Sequence, residues 1–179
     1  MLRLSLLLKL MTLNSPLSSM PVSTLPAPAL QHVLDLTVHV AAPIEAGTVT
    51  GLNSRGKRRI IPITGGTVTG QANGKILPGG ADFQIVVSET TADLDARYMI
   101  ELENGEHIFV QNRALRRGAA ADIAKLVRGE PVAPEAIYFR CVPTFEVSSP
   151  ALAWLTQSIF VGTGARFPDH VQLSIYRLA

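Results

Sequence analysis

Two short segments carry side chains whose types and spacing could do chemistry on a small carbonyl or carboxylate compound. Asp82 and Gln84 follow a glycine turn and share one face of a predicted strand. Tyr138 and Arg140 share a face of a second predicted strand, and Glu146 continues the same even parity if no bulge intervenes. An aspartate or glutamate could move a proton, an arginine could anchor an anion, and a tyrosine could polarise an oxygen. We therefore predict Asp82, Arg140 and Glu146 as catalytic candidates.

The ligand-binding candidates are amide and aromatic side chains that would converge with these groups. They are Gln84, Tyr98, Tyr138 and Trp154. Four of the catalytic and ligand-binding candidates also have an alternative structural interpretation. Asp82 could cap turn amides, Arg140 could belong to a structural ion pair, and Tyr98 and Trp154 could be core residues.

Several other chemistries are excluded or disfavoured by the sequence. No histidine and cysteine cluster has zinc-ligand spacing, so no metal site is predicted, and no cofactor is expected. The lone Cys141 lies in an apolar run, which favours a buried, unreactive thiol. The basic stretch at residues 55–59 is predicted to be a solvated loop rather than a phosphate site. The Gly-Thr-Gly sequence at residues 162–164 lacks the lysine and the strand–helix setting of a nucleotide loop.

Composition limits the partners. The 179 residues are 47% hydrophobic and 17% charged, with a net charge of +2. Such a balance does not favour a nucleic-acid or membrane partner, and it leaves homo-oligomerisation open. The length suits one domain, predicted at residues 30–179.

The first 29 residues are predicted to be a separate, disordered leader or an over-extended start. Residues 1–13 are apolar, but Lys9 interrupts them and the run is too short to span a bilayer. We therefore expect a cytoplasmic protein. The alternative is a secreted or periplasmic protein, if the leader is a signal peptide.

Alternation with a period of two dominates the rest of the chain. Apolar residues recur at every second position in residues 34–40, 96–102, 108–110 and 171–175, which predicts half-buried strands. Asn104-Gly105 predicts a tight hairpin. The Gly-Gly pairs at 65–66 and 79–80 and the Asn-Gly pair at 73–74 predict further turns. Helical spacing appears at residues 119–128, and a short helix could begin after Pro150. Sequential hairpins imply an antiparallel sheet that closes or stacks to hide its edges.

Six motifs carry a resemblance to a known family. In order they are Arg58-Arg-Ile-Ile-Pro-Ile-Thr-Gly-Gly66, Leu77-Pro-Gly-Gly-Ala-Asp-Phe-Gln84, Ala96-Arg-Tyr98, Tyr138-Phe-Arg140, Phe145-Glu146, and Trp154-Leu155 through Phe160-Val-Gly-Thr-Gly164. The chain resembles the family known as domain of unknown function 3237, or uncharacterised protein family 0311, over nearly all of residues 30–178. That family is similar in fold to the allene oxide cyclase-like β-barrels. The resemblance implies a closed antiparallel barrel of about eight strands with one or two short helices. It implies no catalytic residues.

Three functions remain open. The first is a cofactor-independent isomerase, cyclase or lyase that acts on a small carbonyl compound. The second is a non-catalytic barrel that binds or carries a small hydrophobic or carbonyl-containing ligand. The third is a structural oligomeric module, which predicts an interior plugged by side chains.

Overall fold

The computed structural model describes residues 25–179, which form ten strands, one α-helix and two 3-10 helices. The strands are β1 (Leu30–Val40), β2 (Ile44–Thr50), β3 (Arg55–Gly70), β4 (Gly74–Ile76), β5 (Ala81–Ser88), β6 (Thr91–Leu102), β7 (His107–Gly118), β8 (Ile137–Val147), β9 (Phe160–Arg166) and β10 (His170–Leu178). The α-helix is α1 (Ala120–Val127), and the 3-10 helices are Pro134–Ala136 and Pro150–Leu155.

The strands close into an antiparallel barrel of eight positions, which confirms the predicted fold class. The order runs β1-β10-β9-β8-β7-β6 and then to β3, which pairs back with β1. Both β4 and β5 lie between β6 and β3, so they share one position around the wall. The remaining strand, β2, pairs with the first half of β3 and extends the wall at one end. Closure leaves few unpaired strand edges.

One end of the barrel is filled and forms a floor. Leu152 and Leu155 of the second 3-10 helix are buried there. Phe160 packs edge-to-face against Phe145 and Trp154, with ring centroids 5.2 and 6.0 Å apart. Such geometry is favourable for aromatic rings and makes this half of the interior solid core.

Two glycines, one in β9 and one directly before β5, allow close approach of two inward-pointing aromatic residues. A Cβ at Gly164 would lie 2.8 Å from the Phe139 ring, and one at Gly80 would lie 2.6 Å from Cβ of Tyr98. No side chain fits at such distances without a shift of its neighbours. The Gly-Thr-Gly sequence of β9 therefore serves packing of the neighbouring strand.

The predicted helices are present, with small differences. The spacing at residues 119–128 corresponds to α1, and Gly129 follows it with a positive φ of 76°. The helix after Pro150 is 3-10 in type, and Pro134–Ala136 adds a 3-10 turn that the sequence did not predict. No helix among residues 25–179 is long and apolar enough to cross a membrane.

The turn predictions are correct except at one glycine pair. Asn104-Gly105 forms the β6–β7 hairpin, with Gly105 at φ 82°. Gly65 and Gly66, predicted as a turn, lie instead within the continuous strand β3. A Cβ at Gly66 would meet the carbonyl oxygen of Thr37 at 2.0 Å, so the glycine allows β1 to approach closely.

The predicted leader falls mostly outside the described residues, since these begin at 25. Ala29 exchanges backbone hydrogen bonds with Ala179, at 3.0 and 2.9 Å, so chain pairing begins next to the predicted boundary. The leader and the single-domain boundary remain predictions.

Candidate functional site

A cavity of about 310 Å³ occupies the end of the barrel opposite the floor. The β1–β2 connection and the β9–β10 turn form its rim, with Pro43, Pro168 and Asp169 among the rim residues. Its wall is largely apolar and includes Ile61, Ile63, Leu94, Ala96, Ala114, Phe139, Val171 and Leu173. A cavity of this size is suited to one small ligand.

A hydrogen-bonded chain of polar side chains crosses one wall of the cavity. Arg59 Nε donates to Gln84 Oε1 at 2.8 Å, and Gln84 Nε2 donates to Asp82 Oδ2 at 2.5 Å. The backbone register explains the first contact, because Arg59 and Gln84 lie directly opposite each other on β3 and β5. Asp82 and Gln84 share one face of β5, as their parity predicted, and the structure turns that face into the cavity.

The second oxygen of Asp82 joins β5 to β6 by a hydrogen bond. Asp82 Oδ1 accepts the backbone N–H of Asp95 at 3.1 Å, within the stretch where Phe83 and Gln84 have no paired residue on β6. Burial raises the pKa of Asp82 above 3.8, against the lowering effects of Gln84, Arg116, the Asp95 amide and Arg59. A carboxyl that takes up a proton more readily than usual therefore faces the cavity.

Two further arginines enter the cavity, one from β7 and one from β9. Arg116 on β7 is only 4% exposed, and its side chain makes no hydrogen bond or salt bridge within residues 25–179. Burial, followed by repulsion from Arg166 and Arg59, lowers the pKa of Arg116 to about 10. Arg166 on β9 lies in the same lining, and its buried Nη1 has no hydrogen-bond partner in the described part of the chain. Burial and Arg59 lower the pKa of Arg166 as well.

Three neutral or weakly acidic groups lie deeper in the barrel. Asn112 is 4% exposed, and its Oδ1 has no hydrogen-bond partner among the residues from 25 onward. Tyr98 lines the same cavity, and burial raises the pKa of its phenol, as do the neighbouring Cys141 and Asp82. Burial also raises the pKa of Cys141 to about 11, against a hydrogen bond with Asn112, so this thiol stays protonated at neutral pH.

Three of the predicted site residues face away from the cavity. Tyr138, Arg140 and Glu146 share a parity as expected, but that face of β8 is the outer one. Tyr138 is 45% exposed, and the Arg140 guanidinium lies over its ring at 5.1 Å from the centroid. The prediction that they point inward is wrong because the other face of β8 is apolar and fills the barrel.

The predicted convergence of Asp82 with Arg140 is also wrong, because the barrel wall separates them. Trp154 belongs to the floor, where it packs on Phe160, and it does not line the cavity. Of the predicted site residues, Asp82, Gln84 and Tyr98 are brought together.

The sequence interpretation missed four polar residues of the cavity: Arg59, Arg116, Arg166 and Asn112. Arg59 was assigned to a solvated loop, but it lies in β3, two and four residues before the buried Ile61 and Ile63. Asn112 and Arg116 continue the even parity of Ile108 and Val110. Extending the alternation through these polar positions would have placed three of the four residues inside. Arg166 had no such signal.

Metal ligands are not concentrated at this site. No group of three or more histidine, cysteine, aspartate or glutamate side chains that could hold a metal ion exists within residues 25–179.

Comparison with known proteins places the chain in a family. Residues 28–178 match the family described as Protein of unknown function (DUF3237). A UPF0311 protein of Bradyrhizobium diazoefficiens is 41% identical over 148 residues, which cover 83% of this chain and 95% of that protein. A UPF0311 protein of Clostridium acetobutylicum is 39% identical over 150 residues, which cover 83% of this chain and 93% of that one.

Solved structures agree with this assignment. A crystal structure of a conserved protein of unknown function from Rhodopseudomonas palustris superimposes with a TM-score of 0.80 at 38% identity, covering 87% of this chain and all of that one (100%). A β-barrel-like protein from Acinetobacter baumannii gives a TM-score of 0.74 at 39% identity, covering 87% and 99% of the two chains. An enzyme from Penicillium herquei shares the fold alone, at 17% identity and a TM-score of 0.61, with 89% of this chain and 100% of that one covered. The chain belongs to the DUF3237 family, UPF0311, of β-barrel proteins.

Proposed function

We propose that the protein binds a small, partly apolar carbonyl compound in the barrel cavity and moves a proton on it, with Asp82 as the acid–base group. The observation that carries this proposal is a carboxyl with a raised pKa that faces an open, largely apolar cavity together with arginine side chains. Perturbed carboxyls in cavities are typical of acid–base sites. The reaction class would be isomerisation, cyclisation, or the addition or loss of water.

The proton transfer is chemically balanced without a redox partner. The Asp82 carboxylate takes a proton from the carbon next to the ligand carbonyl, and the electron pair of that C–H bond moves to the carbonyl oxygen. Arginine N–H groups in the same cavity stabilise the enolate oxygen that forms. Asp82 then returns the proton to another carbon or to a leaving hydroxyl, which gives an isomer or releases water.

A carrier without catalysis is the second candidate, and a specific contact favours it. Both oxygens of Asp82 accept hydrogen bonds, one from Gln84 and one from the Asp95 amide, so this carboxyl also holds β5 against β6. A carboxyl held in this way could stabilise the wall of a binding site without taking part in catalysis. A purely structural module is disfavoured, because a cavity of about 310 Å³ is left at one end of the barrel rather than plugged by side chains.

Hydrogen exchange at carbon separates the enzyme from the carrier. Carbonyl compounds with an acidic α-C–H bond, such as β-keto esters and α-hydroxyketones, are incubated with the protein in D2O, and the loss of the α-proton NMR signal is followed. We expect protein-catalysed exchange that Asp82→Asn abolishes. Asp93→Asn is the matched control, because Asp93 lies on the outer face of β6 with its side chain 52% exposed. Exchange that persists in Asp82→Asn would refute the role of Asp82. Binding of such compounds without exchange would favour the carrier.

A further inference from the structure

The cavity contains more positive charge than its own acidic groups balance. Its titratable lining consists of Arg59, Arg116, Arg166, Asp82 and Tyr98, with Asp169 at the rim. Asp169 is exposed and already bonds His170 Nδ1 at 2.8 Å. Three guanidinium groups therefore face a single buried carboxyl, that of Asp82.

The arginine side chains of the cavity also have too few hydrogen-bond acceptors within residues 25–179. Arg59 uses its Nε for Gln84, and neither of the other two arginine side chains finds an acceptor on the described part of the chain. Arg166 Nη1 is buried outright. A guanidinium prefers paired oxygens on a carboxylate or phosphate, and buried charges in proteins are normally paired. A bound anion would supply both the missing charge and the missing acceptors.

Asn112 presents an unused acceptor, whereas the arginines present unused donors. Its Oδ1 is buried and has no hydrogen-bond partner within residues 25–179, and Asn112 lies in the same lining. Arg116 is four positions further along β7, about 13 Å away between Cα atoms at the usual rise of a strand. The wall between them includes Ala114, and Phe139 lies opposite Arg116 on β8. One ligand could therefore place an acidic group at the arginines and a hydrogen-bond donor at Asn112.

We propose that the ligand of this cavity is a small organic acid with an apolar body and a hydroxyl group. Its anionic group binds Arg116 and Arg166, and its hydroxyl donates to Asn112 Oδ1. This inference rests on the proposal that the cavity is the ligand site, and it defines the chemical class of that ligand. It does not depend on catalysis by Asp82.

Three probes of nearly equal size separate the contributions. The compound para-hydroxyphenylacetate carries a carboxylate and a hydroxyl at opposite ends of a phenyl ring, para-hydroxyphenylacetamide replaces the carboxylate by a neutral amide, and phenylacetate lacks the hydroxyl. Isothermal titration calorimetry with the full chain should show para-hydroxyphenylacetate binding about tenfold or more tightly than its amide, the value of one charge-assisted hydrogen-bond pair. Phenylacetate should bind more weakly than para-hydroxyphenylacetate, and Asn112→Leu should remove that difference.

Charge variants complete the test. Arg166→Gln should weaken the binding of para-hydroxyphenylacetate by about tenfold, while it changes the binding of the amide little. Arg166→Lys keeps the positive charge and should restore part of the loss. Arg113→Gln is the matched control, since Arg113 lies on the outer face of β7 with its side chain 65% exposed, and it should leave all three affinities unchanged. A thermal melt of each variant confirms that it is folded.

Equal affinity for para-hydroxyphenylacetate and its amide would overturn the inference. So would binding of the acid that Arg166→Gln leaves intact, or no binding of the acid at all. These outcomes are independent of the carbon-exchange assay. If exchange depends on Asp82 but the amide binds as well as the acid, the anion inference fails and the proposed function stands. If binding of the acid depends on Arg166 but no compound exchanges, the anion inference stands and the proposed catalysis fails.

Discussion

Replacing Asp82 by asparagine should destabilise the protein in a way that depends on pH. The carboxyl accepts from two fixed donors, Gln84 Nε2 and the Asp95 backbone N–H. Gln84 cannot turn its amide round, because Arg59 Nε donates to its oxygen. An asparagine at this position has one oxygen for two donors, so its NH2 group must face another N–H.

The magnitude follows from that mismatch. One buried donor left without an acceptor costs about 1–3 kcal/mol. For a domain of this length, each kcal/mol lowers the melting temperature by roughly 2–4 °C. The loss would be smaller than that for a broken buried ion pair, since Asp82 forms no salt bridge with any residue of the described range.

The pH dependence has a defined sign. Burial raises the pKa of Asp82 in the folded protein above its ordinary 3.8, so the folded state binds this proton more tightly than the unfolded state does. The contribution of the carboxyl to stability is therefore complete below pH 3.8 and declines as the pH rises through the raised pKa. Asparagine does not titrate. The stability advantage of the wild type over Asp82→Asn should thus shrink from acid to neutral pH.

Urea unfolding of both proteins, from pH 3.8 upward to neutral, measures this difference directly. Asp93→Asn, on the outer face of the same hairpin, is the control and should change stability little at any pH. An advantage of the wild type that grows as the pH rises would refute the reasoning, because it would mean that the folded protein stabilises the charged carboxylate.

Three further predictions concern single groups of the barrel. Arg166→Gln should raise the stability of the ligand-free protein by about 1 kcal/mol, because it removes a charge whose buried Nη1 has no hydrogen-bond partner within residues 25–179. A lower urea midpoint would contradict this. Gly164→Ala should lower stability by about 1–3 kcal/mol, since the new Cβ would lie 2.8 Å from the Phe139 ring. Thr163→Ala, on the outer face of the same strand, is the control and should have little effect on the melting temperature. Carbon-13 NMR of the side-chain carboxyl should give Asp82 a titration midpoint above 3.8, and a midpoint at or below that value would show that burial does not dominate.

The fold was largely predictable because its signals are local. Alternation in residues 34–40 and 96–102 places one face of each strand in a core, and Asn104-Gly105 permits the positive φ of a hairpin. Closure into a barrel was implied by the family resemblance, not by the alternation. Gly65-Gly66 was misjudged because a glycine pair indicates close approach of another backbone as well as a turn.

The site was less predictable because alternation identifies which residues share a face but not which face is inside. Asp82 and Gln84 were placed correctly, whereas Tyr138 and Arg140 were not, because the apolar face of β8 fills the barrel. The arginines of the cavity were missed for a different reason. A basic residue is usually solvated, and only the closed barrel makes Arg59 and Arg116 buried.

The central claim, that the open end of the barrel is the ligand site, is tested most directly by methyl NMR during a titration with para-hydroxyphenylacetate. Leu94 and Leu173 line the cavity, whereas Leu152 and Leu155 lie in the floor at the other end of the barrel. The account predicts saturable shifts of the Leu94 and Leu173 methyl signals with no change at Leu152 and Leu155. Shifts confined to the floor or to residues on the outer face, or no shifts at all, would contradict it.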